Sequence, residues 1–204
     1  MALGVVALLV GTAACTVEDS RPSRAVDPEP SVRDDVASAT PVPAAAPPAR
    51  VRVTRVAGSL SDRDREVLAG RVGHVVTDYF DAAFLGGDYP RSSFGDAFDT
   101  FSAGAAVRAD ANRDLLTNRV LGPTTQSIEV RRRTAYLSVL APHKVAAGVT
   151  ARVHLRFVAD RGDAPAKRVD VTGRLLLTRK ASGDGWKIFG YDLDRRNRTL
   201  GEGS

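Results

Sequence analysis

The strongest constraint on the fold of this chain is a stripe of apolar residues at helical spacing that begins shortly after Ser61. A stripe with this period predicts an amphipathic helix that buries one face. Ser61 and Asp64 have the spacing of a capping box, and Gly86 and Gly87 are typical of a helix end. We therefore expect one helix of about 25 residues. Its core-facing positions are Leu68, Val72, Val75, Val76, Tyr79, Phe80, Ala83 and Phe84.

Two weaker helical patterns follow the long helix. Phe94, Phe98 and Phe101 are spaced at i, i+4 and i+7, which predicts a short second helix. Residues 103–119 predict a third helix with apolar residues near its end. We expect both helices to add apolar side chains to the core that the long helix covers.

After Pro123 the apolar residues recur with a period of two, which is typical of strands with one buried face. Turn-forming residues separate the runs, so that a meander of antiparallel strands is the expected arrangement. The last run carries the sequence GWKIFGYDLDR. We expect four or five strands, with candidates at 127–133, 134–140, 149–159, 168–180 and 186–194.

Helices that precede an antiparallel sheet can bury a helix stripe against one sheet face. This element order and the Trp-x-hydrophobic-x-x-Tyr pattern that starts at Trp186 resemble the cystatin-like, NTF2-like superfamily over about residues 60–195. The resemblance implies an α+β cone, in which N-terminal helices, one of them long, pack on a curved antiparallel sheet of four or five strands. The chain is similar above all to exported actinobacterial members, which are lipid- or helix-anchored domains of envelope complexes.

The N-terminus has the features of an export signal. Residues 2–14 are uncharged and too few to span a bilayer, which takes about 20 residues. Small residues at 11–14 precede Cys15, the only cysteine of the chain. The stretch LLVGTAAC resembles the lipobox of bacterial lipoproteins, which implies that Cys15 carries a diacylglyceryl group and becomes the mature N-terminus. The alternative is an ordinary secretory signal in which Cys15 has no role.

Residues 16–50 predict a disordered tether. They contain seven of the 11 prolines and no aromatic residue, Leu or Ile. Such a segment cannot bury enough apolar surface to offset the entropy of ordering it. The predicted organisation is a signal peptide with a lipobox-like end at 1–15, a Pro-rich tether at 16–50 and an α+β globular domain at 51–204. We expect an exported protein anchored to the outer face of the cell membrane.

The sequence contains no recognisable catalytic motif. The three histidines, His74, His143 and His154, have no HExxH spacing and no cysteine partner, so we expect no metal site. Nucleophile-elbow and phosphate-loop motifs are absent from the sequence as well. We therefore predict no catalytic residue and no cofactor.

A small NTF2-like enzyme is nevertheless an alternative function. The resemblance implies that such an enzyme would use an Asp in an apolar cone, where burial raises the pKa of a carboxyl group enough for it to act as a base. The candidates are Asp78 and Asp81 on the long helix and Asp192 and Asp194 on the last strand. The simpler interpretation places all four carboxylates on solvent-facing positions.

The formal net charge of +5 is unevenly distributed, because the tether is acidic and the rest of the chain is basic. Residues 131–133 are the densest basic cluster, and alternate residues of a strand share one face. We predict a basic face that meets phospholipid headgroups, an anionic polymer or an acidic envelope protein. The alternative is a solvated sheet face. The predicted basic face consists of Arg131, Arg133, Arg152, Arg156 and Arg174.

These features together favour a membrane-anchored lipoprotein of the cell envelope whose domain is a non-enzymatic binding or assembly module. A scaffold component of a conjugation or secretion channel is a further alternative. Its partners would be the membrane, through the lipid anchor, and an envelope protein or anionic polymer, with a homodimer through the sheet as another arrangement. We do not expect nucleic acid as a partner, because exported proteins rarely meet it and no set of aromatic residues interleaves the arginines.

Overall fold

The computed structural model describes residues 49–180 and 185–201. All of them belong to one of the two units into which the chain divides, Pro43–Ser204. Cys15, the predicted signal peptide and the predicted tether up to residue 48 lie outside the described residues. The signal, the anchor and the tether therefore stay predictions.

Five long strands form one sheet, which is mixed and not closed into a barrel. They are β1 (Arg50–Gly58), β2 (Ser127–Ala141), β3 (Gly148–Arg161), β4 (Ala164–Arg179) and β5 (Trp186–Thr199). The spatial order follows the chain, from β1 at one edge to β5 at the other. Strands β2 to β5 make the predicted antiparallel meander, whereas β1 lies parallel to β2.

The long helix α1 (Asp62–Phe80) continues into a π-helical turn at Asp81–Leu85, and together they span 24 residues. The backbone N–H of Asp64 donates to Ser61 Oγ over 3.1 Å, which confirms the predicted cap at the start of the helix. At the other end, the N–H of Gly86 donates to the carbonyl oxygen of Asp81 over 2.7 Å. Two short helices follow, α2 (Ala103–Ala111) and α3 (Arg113–Leu116).

The core lies between α1 and one face of the sheet, which we call the inner face. Phe80 and Phe84 of the long helix and Phe157 and Leu177 of the sheet are fully buried there. The rings of Phe84 and Phe157 lie 6.3 Å apart between centroids. Each side chain buried in this way stabilises the fold by roughly 1.5–3 kcal/mol. The predicted α+β fold, with one long helix packed on the sheet, is confirmed.

Strand β1 is the main element that the sequence analysis missed. Its sequence, RVRVTRVAG, alternates arginine with valine, and Val51 and Val53 are half-buried against the core. The strand pairs in parallel with β2, which follows far along the chain. A parallel pair needs a long crossover connection, and here that connection contains all three α-helices. The pairing is non-local, so no neighbouring turn signal marked β1 as a strand.

Two predicted helices differ from the structure. Phe94, Phe98 and Phe101 are buried as expected, but residues 95–100 form consecutive turns with bonds between residues three apart. The predicted helix at 103–119 is two helices that meet at Asn112, whose side-chain amide donates to the carbonyl oxygen of Arg108 over 3.0 Å. Asparagine readily makes such local bonds with the backbone, which favours a helix break over a helix interior.

The strand candidates at 127–133 and 134–140 form one continuous strand, β2. The pairing with β3 shifts between Val130 and Arg132, where Arg131 is an extra residue in β2. A bulge of this kind changes which side chains point to each face beyond it. This shift has a direct effect on the predicted basic face.

Candidate functional site

The face of the sheet that points away from α1, which we call the outer face, carries polar side chains in aligned rows. One row crosses all five strands through successive Cα partners: Arg52, Tyr136, Arg152, Arg174 and Asp192. The adjacent row lies about 7 Å away, because alternate residues of a strand are spaced by two rises. It consists of Arg50, Thr134, His154, Thr172 and Asp194.

Two open depressions adjoin each other on these rows. The first has a volume of about 500 Å³ and lies over β1 and β2. The second, of about 420 Å³, lies over β2, β3 and β4. Both are lined by Arg132, Thr134 and Tyr136, so they meet over β2. None of the described residues that line them is acidic.

Carboxylates accompany the arginines near β4 and β5. Asp192 Oδ2 lies 2.6 Å from Arg174 Nη2, and Asp170 Oδ1 lies 2.5 Å from Arg156 Nε. At the β2 edge of the first depression, Arg131 pairs with Glu129 at 2.5 Å. These ion pairs reduce the positive potential at their own positions.

Four of the arginines that line the two depressions have no such partner. Among the described residues, no carboxylate oxygen lies within 4.0 Å of Arg50, Arg52, Arg132 or Arg152. We call these four residues, together with Tyr136, the arginine surface. Four neighbouring positive charges give the surface a positive potential and repel one another. A bound anion would reduce this repulsion.

Tyr136 lies between Arg52 and Arg152 in the sheet register, and 46% of the tyrosine is exposed. An exposed aromatic side chain between two unpaired arginines is typical of recognition surfaces, where Tyr and Arg are both enriched. The residue offers a flat ring for stacking and a hydroxyl group for hydrogen bonding.

Arg133, which was predicted on this face, points to the inner face instead. Beyond the extra residue at 131, Arg133 is the partner of the buried Leu155. Its side chain is 3% exposed, donates to the carbonyl oxygen of Thr77 over 2.7 Å and pairs with Asp81 at 2.8 Å. Arg133 therefore connects β2 to the end of α1, and the prediction that residues 131 and 133 share one face is wrong.

The other predicted arginines lie on the outer face, in different settings. Arg131, Arg152 and Arg174 line the depressions, whereas Arg156 lies beside them and binds Asp170. The sequence analysis missed the arginines at 50 and 52 because β1 was not predicted. It left Arg132 out of the basic face because the bulge was not predicted. The alternation of Arg and Val in RVRVTRV was the signal that could have identified β1.

His154 connects the arginine surface to Asp170. Arg132 Nη1 lies 3.4 Å from His154 Nδ1, and His154 Nε2 lies 3.1 Å from Asp170 Oδ1. A guanidinium group can only donate, so Nδ1 accepts and the ring proton lies on Nε2, which donates to the carboxylate. Burial acts to raise the Asp170 pKa, but the hydrogen bonds from Arg156 and His154 and the charge of Arg156 outweigh it and hold that pKa below its ordinary value.

Apolar side chains are buried between α1 and the inner face of the sheet, and the candidate carboxylates lie outside this core. Asp78 has a side chain that is 44% exposed and lies 3.4 Å from His74. Asp81 is 43% exposed and pairs with Arg133, and the side chains of Asp192 and Asp194 are more exposed still. No described position supplies the carboxylate in an apolar cone that the enzyme alternative requires, so the structure gives that alternative no support.

A second polar cluster lies inside the fold near α3, and its groups bind the chain itself. The buried hydroxyl of Tyr79 donates to the carbonyl oxygen of Leu116 over 2.9 Å, and burial raises the Tyr79 pKa far above its ordinary value. Arg195 donates to the carbonyl oxygen of Asp114 and to Asn118 Oδ1. Burial lowers the Arg195 pKa. The cluster satisfies the carbonyl groups at the end of α3, which is a structural role.

The fold and the site define an α+β protein with a helix-covered inner face and an open, basic outer face. No known family model matches the chain, and comparison with curated proteins and with solved structures gives no match. The resemblance to the cystatin-like, NTF2-like superfamily and to bacterial lipoproteins therefore stays a prediction from sequence.

Two further observations concern the described part of the chain. Within residues 49–180 and 185–201, no helix is both long enough and apolar enough to cross a membrane. The same residues contain no group of three or more His, Cys, Asp or Glu side chains placed to hold a metal ion.

Proposed function

We propose that the chain is an exported lipoprotein, held at the outer face of the cell membrane through Cys15, and that its α+β domain is a non-enzymatic binding module of the cell envelope. The observation that carries the binding role is the arginine surface, where four arginines without carboxylate partners surround an exposed tyrosine. The proposed anchor depends on the stretch LLVGTAAC.

The distribution of charge favours an anionic partner. Around the two depressions, Arg174 on β4 pairs with Asp192, and the arginines that have no carboxylate partner among the described residues lie on β1, β2 and β3. Clustered charges of one sign attract a ligand of the opposite sign and speed its association. The candidate carboxylates are partly or largely exposed, which supports binding at the surface over catalysis by a buried carboxylate.

The anchor has a direct test. Radiolabelled palmitate is supplied to bacteria that express the full chain, and label in the purified protein is measured. We expect label in the wild type and none in Cys15→Ser, because the thiol is the proposed acylation site. Label in both proteins, or in neither, would contradict the anchor.

The binding role is tested separately with the full-length Cys15→Ser chain, which cannot be acylated. Purified protein is mixed with washed cell-envelope fragments and centrifuged. We expect the lipid-free protein to sediment with the fragments at low salt and to be released as salt is raised, because screening weakens attraction between exposed charges. Protein that stays in the supernatant at every salt concentration would refute the binding role.

The channel-scaffold alternative stays a prediction, because no contact of the described residues favours it over a binding module. The homodimer through the sheet is less well supported than an anionic partner. Two copies that met through the outer face would bring unpaired arginines together, and like charges across an interface are unfavourable.

A further inference from the structure

We infer that the arginine surface binds a linear anionic glycan, a chain of linked sugar rings that carries carboxylate or phosphate groups. One ring stacks on Tyr136, and an anionic group enters each of the two depressions beside it. The inference depends on the proposed function only for the choice of the outer face as the binding surface.

The spacing of the row supports a ligand with two anionic groups. Arg52, Tyr136 and Arg152 occupy successive strands, which lie about 4.8 Å apart, so the two arginine backbones are separated by about 10 Å. The two positions are distinct, because Arg52 lines only the first depression and Arg152 only the second. One small anion cannot occupy both positions, whereas two charged groups joined by a ring can.

The residues of the surface match the chemistry of such a ligand. Guanidinium groups bind carboxylates and phosphates through paired hydrogen bonds. The half-exposed ring of Tyr136 offers an apolar face to the C–H face of a sugar ring. In the adjacent row, Thr134 and Thr172 carry hydroxyl groups that can exchange hydrogen bonds with sugar hydroxyls.

Other polyanions fit this surface less well. Single-stranded nucleic acid stacks successive bases on several aromatic residues, and among the described residues Tyr136 is the only Phe, Tyr or Trp that lines the two depressions. A phosphatidylglycerol bilayer offers anionic headgroups but no ring to occupy the space over Tyr136.

The experiment compares four probes on the full-length Cys15→Ser chain by affinity electrophoresis or calorimetry. The probes are polygalacturonate, neutral dextran, phosphatidylglycerol vesicles and an oligothymidine. We expect polygalacturonate to bind more tightly than the vesicles or the oligothymidine, and dextran not to bind. Tighter binding of vesicles or oligothymidine would overturn the assignment to a glycan, as would the absence of binding to polygalacturonate.

Two pairs of variants test the named contacts. Arg52→Gln with Arg152→Gln should weaken polygalacturonate binding by about tenfold or more, because two charged contacts are lost. Arg63→Gln with Arg71→Gln removes the same charge from exposed positions of α1 and should have little effect.

Tyr136→Ala should weaken polygalacturonate binding, whereas Tyr136→Phe keeps the ring and should retain most of the binding. Equal effects within either pair would refute the contacts.

The outcomes also separate this inference from the proposed function. If the protein sediments with envelope fragments but does not bind polygalacturonate, the glycan is wrong and the binding role survives. If it does neither, both fail.

Discussion

At the scale of single residues, Arg131 determines which of its neighbours belongs to the arginine surface. Because Arg131 is an extra residue in β2, Arg132 lies on the outer face opposite Arg156, whereas Arg133 lies opposite the buried Leu155. Two adjacent arginines therefore have different roles: Arg132 belongs to the arginine surface, and Arg133 stabilises the contact between the sheet and α1.

Different stability effects are expected for these two neighbours. Arg133→Ala leaves Asp81 and the carbonyl oxygen of Thr77 without their partner and removes a buried side chain. Because Asp81 is partly exposed, we expect a loss of about 1–3 kcal/mol in the free energy of unfolding. Arg132→Ala should change it by less than about 0.5 kcal/mol. Urea unfolding of both variants measures the difference, and equal losses would contradict the assigned orientations.

Asp170 makes the stability of the sheet dependent on pH. Its pKa is lowered in the folded state, so its ion pairs stabilise the protein above the ordinary Asp pKa of about 4 and are lost as the pH falls through the lower folded value. Between pH 6 and pH 3 the wild type should therefore lose more unfolding free energy than Asp170→Asn.

The control for this comparison is Asp88→Asn, which changes an exposed carboxylate that has no ion-pair partner among the described residues. Chemical unfolding of the three proteins at both pH values provides the measurement. The assignment would be wrong if Asp170→Asn lost as much stability on acidification as the wild type.

At the scale of elements, the contact between α1 and β1 places the arginines of β1 beside β2. The two elements approach closely at Gly73, where an added Cβ would lie 2.9 Å from Cγ2 of Val51. Val51 precedes Arg52 in β1 and is half-buried. The small residue in the helix therefore lets the edge strand pack against the core.

Two glycines of α1 allow this contact to be tested. Gly70→Ala adds a methyl group in open space and should raise the free energy of unfolding by about 0.5–1 kcal/mol, because alanine favours the helix. Gly73→Ala has the same helical advantage but collides with Val51, so it should stabilise less or destabilise. Thermal or urea unfolding gives both values, and equal stabilisation would show that α1 and β1 are not in close contact.

Much of the architecture could be predicted from local signals. The cap at Ser61, the helical stripe and the alternation in β3 and β4 all lie within single elements, and the structure confirms them. Strand β1 could not be predicted in this way, because its pairing with β2 joins distant parts of the chain. The phenylalanines at 94–101 have helical spacing, but successive turns bury them equally well.

Local sequence patterns predicted part of the candidate site as well. Arg152 alternates with buried residues of β3, so its outward direction followed from the period of two. One extra residue in β2 decides on which face of the sheet Arg132 and Arg133 lie, and a period of two in the sequence does not reveal such a residue. The absence of a nearby carboxylate depends on which strands lie side by side, and only the assembled sheet determines that.

At the scale of the whole molecule, the fold uses the two faces of one sheet for different purposes. The inner face and α1 form a core of buried apolar side chains, and the proposed ligand contacts lie on the outer face. Arg50 is both the first residue of β1 and part of the arginine surface. The first strand therefore begins at the edge of the proposed binding surface.

The central claim is that the arginine surface, and not the general positive charge of the chain, binds the anionic partner. Sedimentation with envelope fragments tests it most directly when two variants of the Cys15→Ser chain with equal net charge are compared. Arg52→Gln with Arg152→Gln should reduce the bound fraction severalfold at low salt, whereas Arg63→Gln with Arg71→Gln should bind like the parent. Equal binding by the two double variants would contradict the account.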